Sequence, residues 1–171
     1  MSLAAARPLS PWRWLATPML FCIVATLFFA IPLRIGGWQA PQPVFPMILV
    51  FAWAMIRPSI LAPFGLLALG VFLDLFWGGP LGLWPVSLLI AYGVVLTARS
   101  MLVGQSQPML WFWYGATVAL AMGAAFLLTA LEAHANPNLG VVGWQTLVTI
   151  LLYPFAYRLL DRFEDADVRF R

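Results

Sequence analysis

Six apolar runs, joined by short connections rich in proline, glycine or arginine, occupy nearly the whole of this 171-residue chain. They cover residues 14–33, 44–56, 59–77, 83–98, 109–131 and 141–157. Hydrophobic residues make up 63% of the chain and charged residues 9%, whereas soluble domains are about half apolar and about a quarter charged. We therefore predict an all-α integral membrane protein, a single polytopic domain over 1–171 that ends in a charged tail, 158–171.

The second run is the least regular of the six. Residues 44–56 supply about a dozen apolar positions, fewer than the roughly 17 that a helix needs to cross the hydrocarbon core. A short span, a span through a thinned bilayer and a re-entrant segment are all open for it. The first run follows Arg7 and Arg13 as a signal peptide would, but it is long enough to be an uncleaved first span.

The arginines favour six spans over five. All nine basic residues are arginine, and six crossings with a cytoplasmic amino terminus leave only Arg34 outside. If the second run does not cross, the best arrangement leaves two arginines outside. The positive-inside tendency thus predicts a compact bundle of six transmembrane helices with both termini cytoplasmic, with five as the alternative. The nine tryptophans agree, because each then lies near a membrane interface.

Asp74 is the only carboxylate inside any apolar run. Gly70 and Gly78 lie four residues before and after it, so on a helix the three share a face that another helix can approach closely. A carboxylate within a span costs roughly 2 to 4 kcal/mol near the bilayer centre and less near an interface. We therefore expect Asp74 to have polar partners.

The turn after Asp74 joins the third run to the fourth and contains Gly78, Pro80, Leu81 and Gly82. We expect this turn to direct the free backbone N–H groups at the start of the fourth run toward the carboxylate. Arg34 and Gln145 are the candidate side-chain partners on the same side. A structural lock between the third and fourth helices, a partner contact and a proton or substrate relay are open as roles. A proton or substrate relay would need further ionisable groups, and no second acid, lysine or histidine lies within a span.

Two other features indicate helix packing. Gly115, Ala119 and Gly123 form a small-residue stripe at spacing four in the fifth run, and such stripes let helix backbones touch in lipid. Cys22 is the only cysteine, so no internal disulfide is predicted, and it is interpreted as a small buried apolar side chain.

The sequence offers no catalytic or metal-binding constellation. His134 beside Glu132 falls short of a metal site, no hydroxyl stands beside a plausible base, and there is no glycine-rich phosphate loop. We predict no catalytic residue, no metal, no cofactor and no enzymatic activity. The arginines are scattered singly at the ends of the runs, so the predicted surface partner is the lipid bilayer and not nucleic acid.

The signature Gly70-x-x-x-Asp74-x-x-x-Gly78-x-Pro80-Leu81-Gly82, in a short chain with six apolar runs, resembles the MreD family of rod shape-determining proteins. Specific residues carry the resemblance over 65–82, and length and span pattern carry it elsewhere. The short, proline-led second run leaves the family's span count open.

This resemblance implies a non-enzymatic scaffold of the cell-elongation and peptidoglycan-synthesis machinery in the bacterial inner membrane. It implies binding to the single-span protein MreC, and an indirect link between the MreB filament and the synthase pair of RodA and its penicillin-binding partner. The family is also similar in fold to substrate-binding subunits of vitamin transporters. The alternative is therefore a small-molecule-binding membrane subunit with an internal cavity.

Overall fold

The structure, a computed structural model, describes residues 12–30, 34–35, 38–39, 42–56, 58–133 and 138–158. These ranges contain six α-helices and one short antiparallel strand pair: α1 (Thr17–Phe29) after a π-helical turn (Trp12–Ala16), β1 (Arg34–Ile35), β2 (Trp38–Gln39), α2 (Pro46–Ile56), α3 (Ala62–Trp77), α4 (Leu83–Leu102), α5 (Gln107–Ala133) and α6 (Leu139–Ile150). The predicted helical fold is confirmed.

Within the described residues, three helical stretches are long and apolar enough to cross a membrane: Leu83–Leu102, Gln107–Leu131 and Leu139–Arg158. The other three apolar helices are shorter and extend over Trp14–Phe29, Pro46–Ile56 and Ala62–Trp77. Large apolar side chains such as Phe28, Phe64 and Phe112 are exposed on the outside of the bundle. An apolar exterior of this extent is suited to lipid and not to water.

The short helix α2 forms the core of the bundle. Every residue from Pro46 to Ala54 is buried, and the helix packs against α4 above all and also against α1, α3 and α5. A helix that is apolar on all sides is stable only when all sides are covered. The run that looks weakest as a membrane span is therefore the element that the other helices surround.

Hydrogen bonds around α4 define two ends of the bundle. α4 begins beside Asp74, at what we name the Asp74 end, and finishes just beyond Arg99, at the Arg99 end. Arg99 Nε donates to the carbonyl of Met55 at 2.8 Å, so α2 finishes at the Arg99 end. Trp77 Nε1 donates to Gln42 Oε1 at 2.9 Å, so the segment that leads into α2 starts at the Asp74 end.

Similar contacts show the directions in which the outermost helices, α1 and α6, run. The turn before α1 contains Trp14, whose ring packs edge-on against Trp53, close to the end of α2, with centroids 6.2 Å apart. Further along α1, Cys22 Sγ donates to the carbonyl of Phe45, just before α2, at 3.7 Å. α1 therefore runs from the Arg99 end to the Asp74 end, antiparallel to α2.

α6 runs in the opposite direction to α1. Gln145 Nε2 donates to the carbonyl of Gln42 at 3.0 Å, at the Asp74 end. Beyond α6, the Tyr153 hydroxyl donates to the carbonyl of Gln107, where α5 starts, at 3.3 Å. The six helices thus alternate in direction, and the described part of the chain begins and ends at the Arg99 end.

A proline interrupts α6 and ties it to α5. Pro154 has no N–H, so the carbonyl of Ile150 loses its helical donor, and the chain turns at 151–152 before it becomes helical again over 153–158. Trp111 Nε1 of α5 donates to that carbonyl at 3.3 Å, and the Tyr114 hydroxyl donates to the neighbouring carbonyl of Thr149 at 3.2 Å. Trp111 therefore satisfies the carbonyl that the interruption leaves free, and Tyr114 adds a second donor to the carbonyl of Thr149, which also accepts the N–H of Leu152.

Candidate functional site: the Asp74 hairpin

The turn between α3 and α4 begins with a glycine C-cap. α3 ends at Trp77, and Gly78 has φ 66°, a left-handed conformation in which a side chain is strained. The N–H groups of Gly78 and Gly79 both donate to the main-chain carbonyl of Asp74, the second at 3.1 Å. This pattern terminates a helix and reverses the chain within a few residues.

The side chain of Asp74 binds the start of the next helix. Its carboxylate is buried, with 1% of the residue exposed. Oδ2 accepts the N–H of Gly82 at 2.6 Å, and Oδ1 accepts the N–H of Trp84 at 3.0 Å. These are the backbone donors expected from the sequence, and Asp74 takes the place of an N-cap side chain that Gly82 lacks.

None of the first four backbone positions at the start of α4, residues 82–85, has an unpaired N–H group. The N–H groups of Gly82 and Trp84 bind Asp74, and the N–H of Leu83 donates to the carbonyl of Pro80 at 3.2 Å. The fourth position is Pro85, which has no N–H. A helix start normally leaves four such donors unpaired. α4 therefore begins inside the bundle without a free backbone donor among them.

The carboxylate of Asp74 lies between two helix ends of opposite partial charge. The carboxylate lies at the negative C-terminus of α3, which is unfavourable, and at the positive N-terminus of α4, which is favourable; each effect is about 0.3 to 1 kcal/mol. The two hydrogen bonds to a charged group are stronger, at about 1.5 to 3 kcal/mol each. The two hydrogen bonds to α4 therefore outweigh the unfavourable position of the carboxylate at the C-terminus of α3.

Gly70 allows the two helices to meet. A Cβ atom built on Gly70 would lie 2.4 Å from the backbone nitrogen of Pro85 and 2.5 Å from its Cα. Only a residue without a side chain permits this distance. The spacing that places Gly70 on the face of Asp74 thus brings α3 against the first turn of α4, where the carboxylate binds.

The other predicted site residues have different surroundings. Gln145 donates to Gln42, and among the described residues both donors to the Asp74 carboxylate are backbone groups at the start of α4. The side chain of Arg34 lies outside the described residues. In the turn, Leu81 is exposed and Pro80 is half-buried.

The predicted small-residue stripe is divided between two environments. A Cβ on Gly115 would contact the side chain of Ile150 of α6 at 3.7 Å, so this position packs inside the bundle. Ala119 and Gly123 are exposed, and no atom lies within 4 Å of a Cβ built on Gly123. Cys22 is buried and free, as predicted. With Pro18 and Thr26 it forms a second stripe at spacing four, the buried face of α1, which the same spacing rule would have identified.

A second polar cluster supports the non-helical residues before α2, and sequence reasoning missed most of it. Thr149 Oγ1 accepts the N–H of Val44 at 3.1 Å and donates to the carbonyl of Gln145 at 2.7 Å. Gln42 accepts from Trp77 with its side chain and from Gln145 with its carbonyl. Side chains of α3 and α6 thus bind polar groups of residues 42–44, which precede the first residue of α2 and lie outside its helical turns.

Replacing Thr149 with valine tests this support. The change keeps the shape of the side chain but leaves the buried N–H of Val44 without an acceptor, so we expect a loss of about 1 to 3 kcal/mol. Thr146→Val is the matched control, because the Thr146 hydroxyl donates only to the carbonyl of Val142 in its own helix. Thermal unfolding of both variants in detergent measures the difference, and equal midpoints would contradict the assignment.

Comparison with family models, with curated proteins and with solved structures finds no match. Across the described ranges, no group of three or more histidine, cysteine, aspartate or glutamate side chains is placed to hold a metal ion. The proposed function is therefore based on the geometry of the hairpin and on the surface of the bundle.

Proposed function

We propose that this protein is a multi-pass membrane scaffold that holds the transmembrane helix of a single-span partner. The observation that carries the proposal is that the centre of the bundle is filled, whereas the outer helices expose large apolar side chains. α2 fills the bundle centre, and Asp74 is fully engaged in fixing α3 to α4. On this basis Asp74 acts as a structural lock, and partner contacts belong to the outer surface.

The second run crosses the membrane by combining a helix with the non-helical residues that precede it. α2 has 11 residues and rises about 16 Å, and residues 42–44 add up to about 10 Å. Together they approach the roughly 30 Å of the hydrocarbon core. Non-helical backbone is tolerated at that depth only when protein surrounds it. The bonds of Gln42 and Val44 to α6 supply that condition.

The Arg99 end faces the cytoplasm in this proposal. Arg99 lies in the last turn of α4, and Arg158 ends the helical residues 153–158 that follow α6, so both belong to the same end of the alternating bundle. Arg57 is the next residue in sequence after α2, which finishes at that end. Arginine-rich connections stay on the cytoplasmic side. Six crossings then place both chain termini in the cytoplasm and the Asp74 hairpin at the outer face of a bacterial inner membrane.

α6 is the surface that we assign to the partner. In the stretch Leu139–Arg158, which begins with α6, only 17% of the most apolar part is buried, compared with 39% for α4 and 33% for α5. The exposed side chains of α6 include Val141, Trp144 and Leu147, and Leu151 and Phe155 are exposed in the residues that follow it. Helices associate in lipid through close packing, and Gly143 of α6 and Gly123 of α5 are exposed with open space around them.

The resemblance to the MreD family makes the proposal specific. The signature from Gly70 to Gly82 is the hairpin described above, and the proposed partner is an MreC-like single-span protein. Through it the bundle would act, without catalysis of its own, in cell elongation with the MreB filament and the RodA synthase pair.

Depletion and copurification test the function together. Depletion in a rod-shaped host is expected to round the cells, and gentle extraction of native membranes is expected to recover a single-span protein with the tagged chain. Normal rods with a lone chain would contradict the scaffold.

The alternative is a small-molecule-binding subunit of a vitamin-type transporter. The observation in its favour is α2, a short helix in the middle of the bundle that follows a non-helical segment, as discontinuous helices do in many transporters. It predicts a nutrient requirement after depletion, with cell shape unchanged.

A further inference from the structure

Arg99 is held in a fixed position at its end of the bundle. Its Nε donates to the carbonyl of Met55 in the last turn of α2, at 2.8 Å. A cation near the C-terminus of a helix is favoured by the helix dipole. The bond uses one of the five N–H donors of the guanidinium, so the terminal nitrogens keep four in a planar fork.

The surroundings of Arg99 contain no described carboxylate. Asp74 is the only acidic residue whose side chain the structure describes, and it lies at the opposite end of the bundle with both oxygens bound to α4. Arg99 is only partly buried, so its charge is within reach of groups outside the bundle. A fixed, accessible guanidinium that no described carboxylate neutralises can bind an anionic group from outside the described residues.

The surface beyond Arg99 fits the boundary between headgroups and acyl chains. Met101 and Val103 are 66% and 61% exposed, and Trp111 is 43% exposed at the start of α5. Polar residues 105 and 106 lie in the connection between them and are also exposed. Indole rings and apolar side chains next to arginine are typical of the membrane interface.

We propose that Arg99 binds the phosphate of a net-anionic phospholipid, such as phosphatidylglycerol, at the Arg99 end. The guanidinium fork binds phosphate oxygens in a bidentate manner. A zwitterionic lipid also carries a phosphate, but its ammonium brings a second positive charge close to the guanidinium, so the net-anionic headgroup is preferred. This inference rests on the proposed cytoplasmic membrane position of the Arg99 end, and it does not depend on the protein partner.

Thermal unfolding of the purified full-length protein in neutral detergent tests the site. Phosphatidylglycerol is expected to raise the midpoint of the wild type by several degrees, whereas phosphatidylcholine at the same mole fraction and millimolar inorganic phosphate are not. Arg99→Gln is expected to lose at least half of the shift. Arg158→Gln, which removes an exposed arginine near the same end, is expected to keep it.

Three results would overturn the proposal. The first is an equal phosphatidylglycerol shift in Arg99→Gln and wild type, and the second is an equal shift with phosphatidylcholine. The third is a full shift with inorganic phosphate alone, which would assign the site to free phosphate. If Arg99→Gln does not fold, Arg99→Lys keeps the charge without the fork. Native mass spectrometry should then show at least threefold weaker phosphatidylglycerol binding, and unchanged binding would contradict the site.

Discussion

Gly70→Ala is expected to prevent stable packing of α3 against α4. The new Cβ would lie 2.4 Å from the nitrogen, 2.5 Å from the Cα and 2.8 Å from the Cδ of Pro85. Two of these are backbone atoms in the first turn of α4, so no side-chain rotation relieves the contact. Overpacking typically costs about 1 to 3 kcal/mol, and we expect about 3 kcal/mol or more here because a whole helix must shift.

The measurement for Gly70→Ala is the yield of monodisperse protein after extraction, followed by thermal unfolding. Gly123→Ala is the matched control, since Gly123 also lies within a helix but has open space at the Cβ position. Alanine is the better helix former, so this control should be neutral or slightly stabilised. Similar behaviour of the two variants would contradict the close approach of α3 to Pro85.

Asp74→Asn is expected to destabilise the same hairpin by about 2 to 3 kcal/mol. An asparagine retains one acceptor oxygen, so it can bind either the N–H of Gly82 or that of Trp84. Its NH₂ group then faces the other donor, which is left buried and unpaired. For a chain of this size the unfolding midpoint should fall by about 5 to 10 °C.

Ser87→Ala provides the control for the charge at Asp74. Ser87 is buried in the second turn of α4, but its hydroxyl donates only to the carbonyl of Leu83 within the helix, at 2.7 Å. Its removal should cost less than about 1 kcal/mol. If Asp74→Asn unfolds at the wild-type temperature, the carboxylate does not lock α3 to α4, and a partner-contact role becomes the better explanation.

The hairpin was predictable because its parts are close in sequence. The spacing of Gly70, Asp74 and Gly78 follows from helix geometry, and the four unpaired donors of any helix start make a nearby carboxylate their natural acceptor. The detailed distances required the structure. The contact of Gly70 with Pro85 depends on the angle at which the turn directs α4, which residue spacing does not give.

The position of α2 was not predictable from its sequence. A run of about a dozen apolar residues without polar alternation fits a buried helix, a short span and a re-entrant segment equally well. Its placement depends on long-range bonds, such as that of Val44 to Thr149, which is 105 residues away. Thr149 itself resembles any other threonine in an apolar helix. The distribution of the arginines did indicate alternating helices, because the charge of each connection depends on the side of the membrane on which it lies. It carries no information about which helix packs in the centre.

Cysteine labelling tests the central claim, a six-pass bundle with the Asp74 hairpin outside and the Arg99 end inside. In a Cys22→Ala background, Leu81→Cys places an exposed thiol in the hairpin, and Ser106→Cys places one in the connection between α4 and α5. We expect a membrane-impermeant maleimide to label Leu81→Cys in spheroplasts, and to label Ser106→Cys only after the membrane is disrupted. Labelling of Ser106→Cys from outside, or equal access of both thiols, would contradict the membrane arrangement on which the proposed function rests.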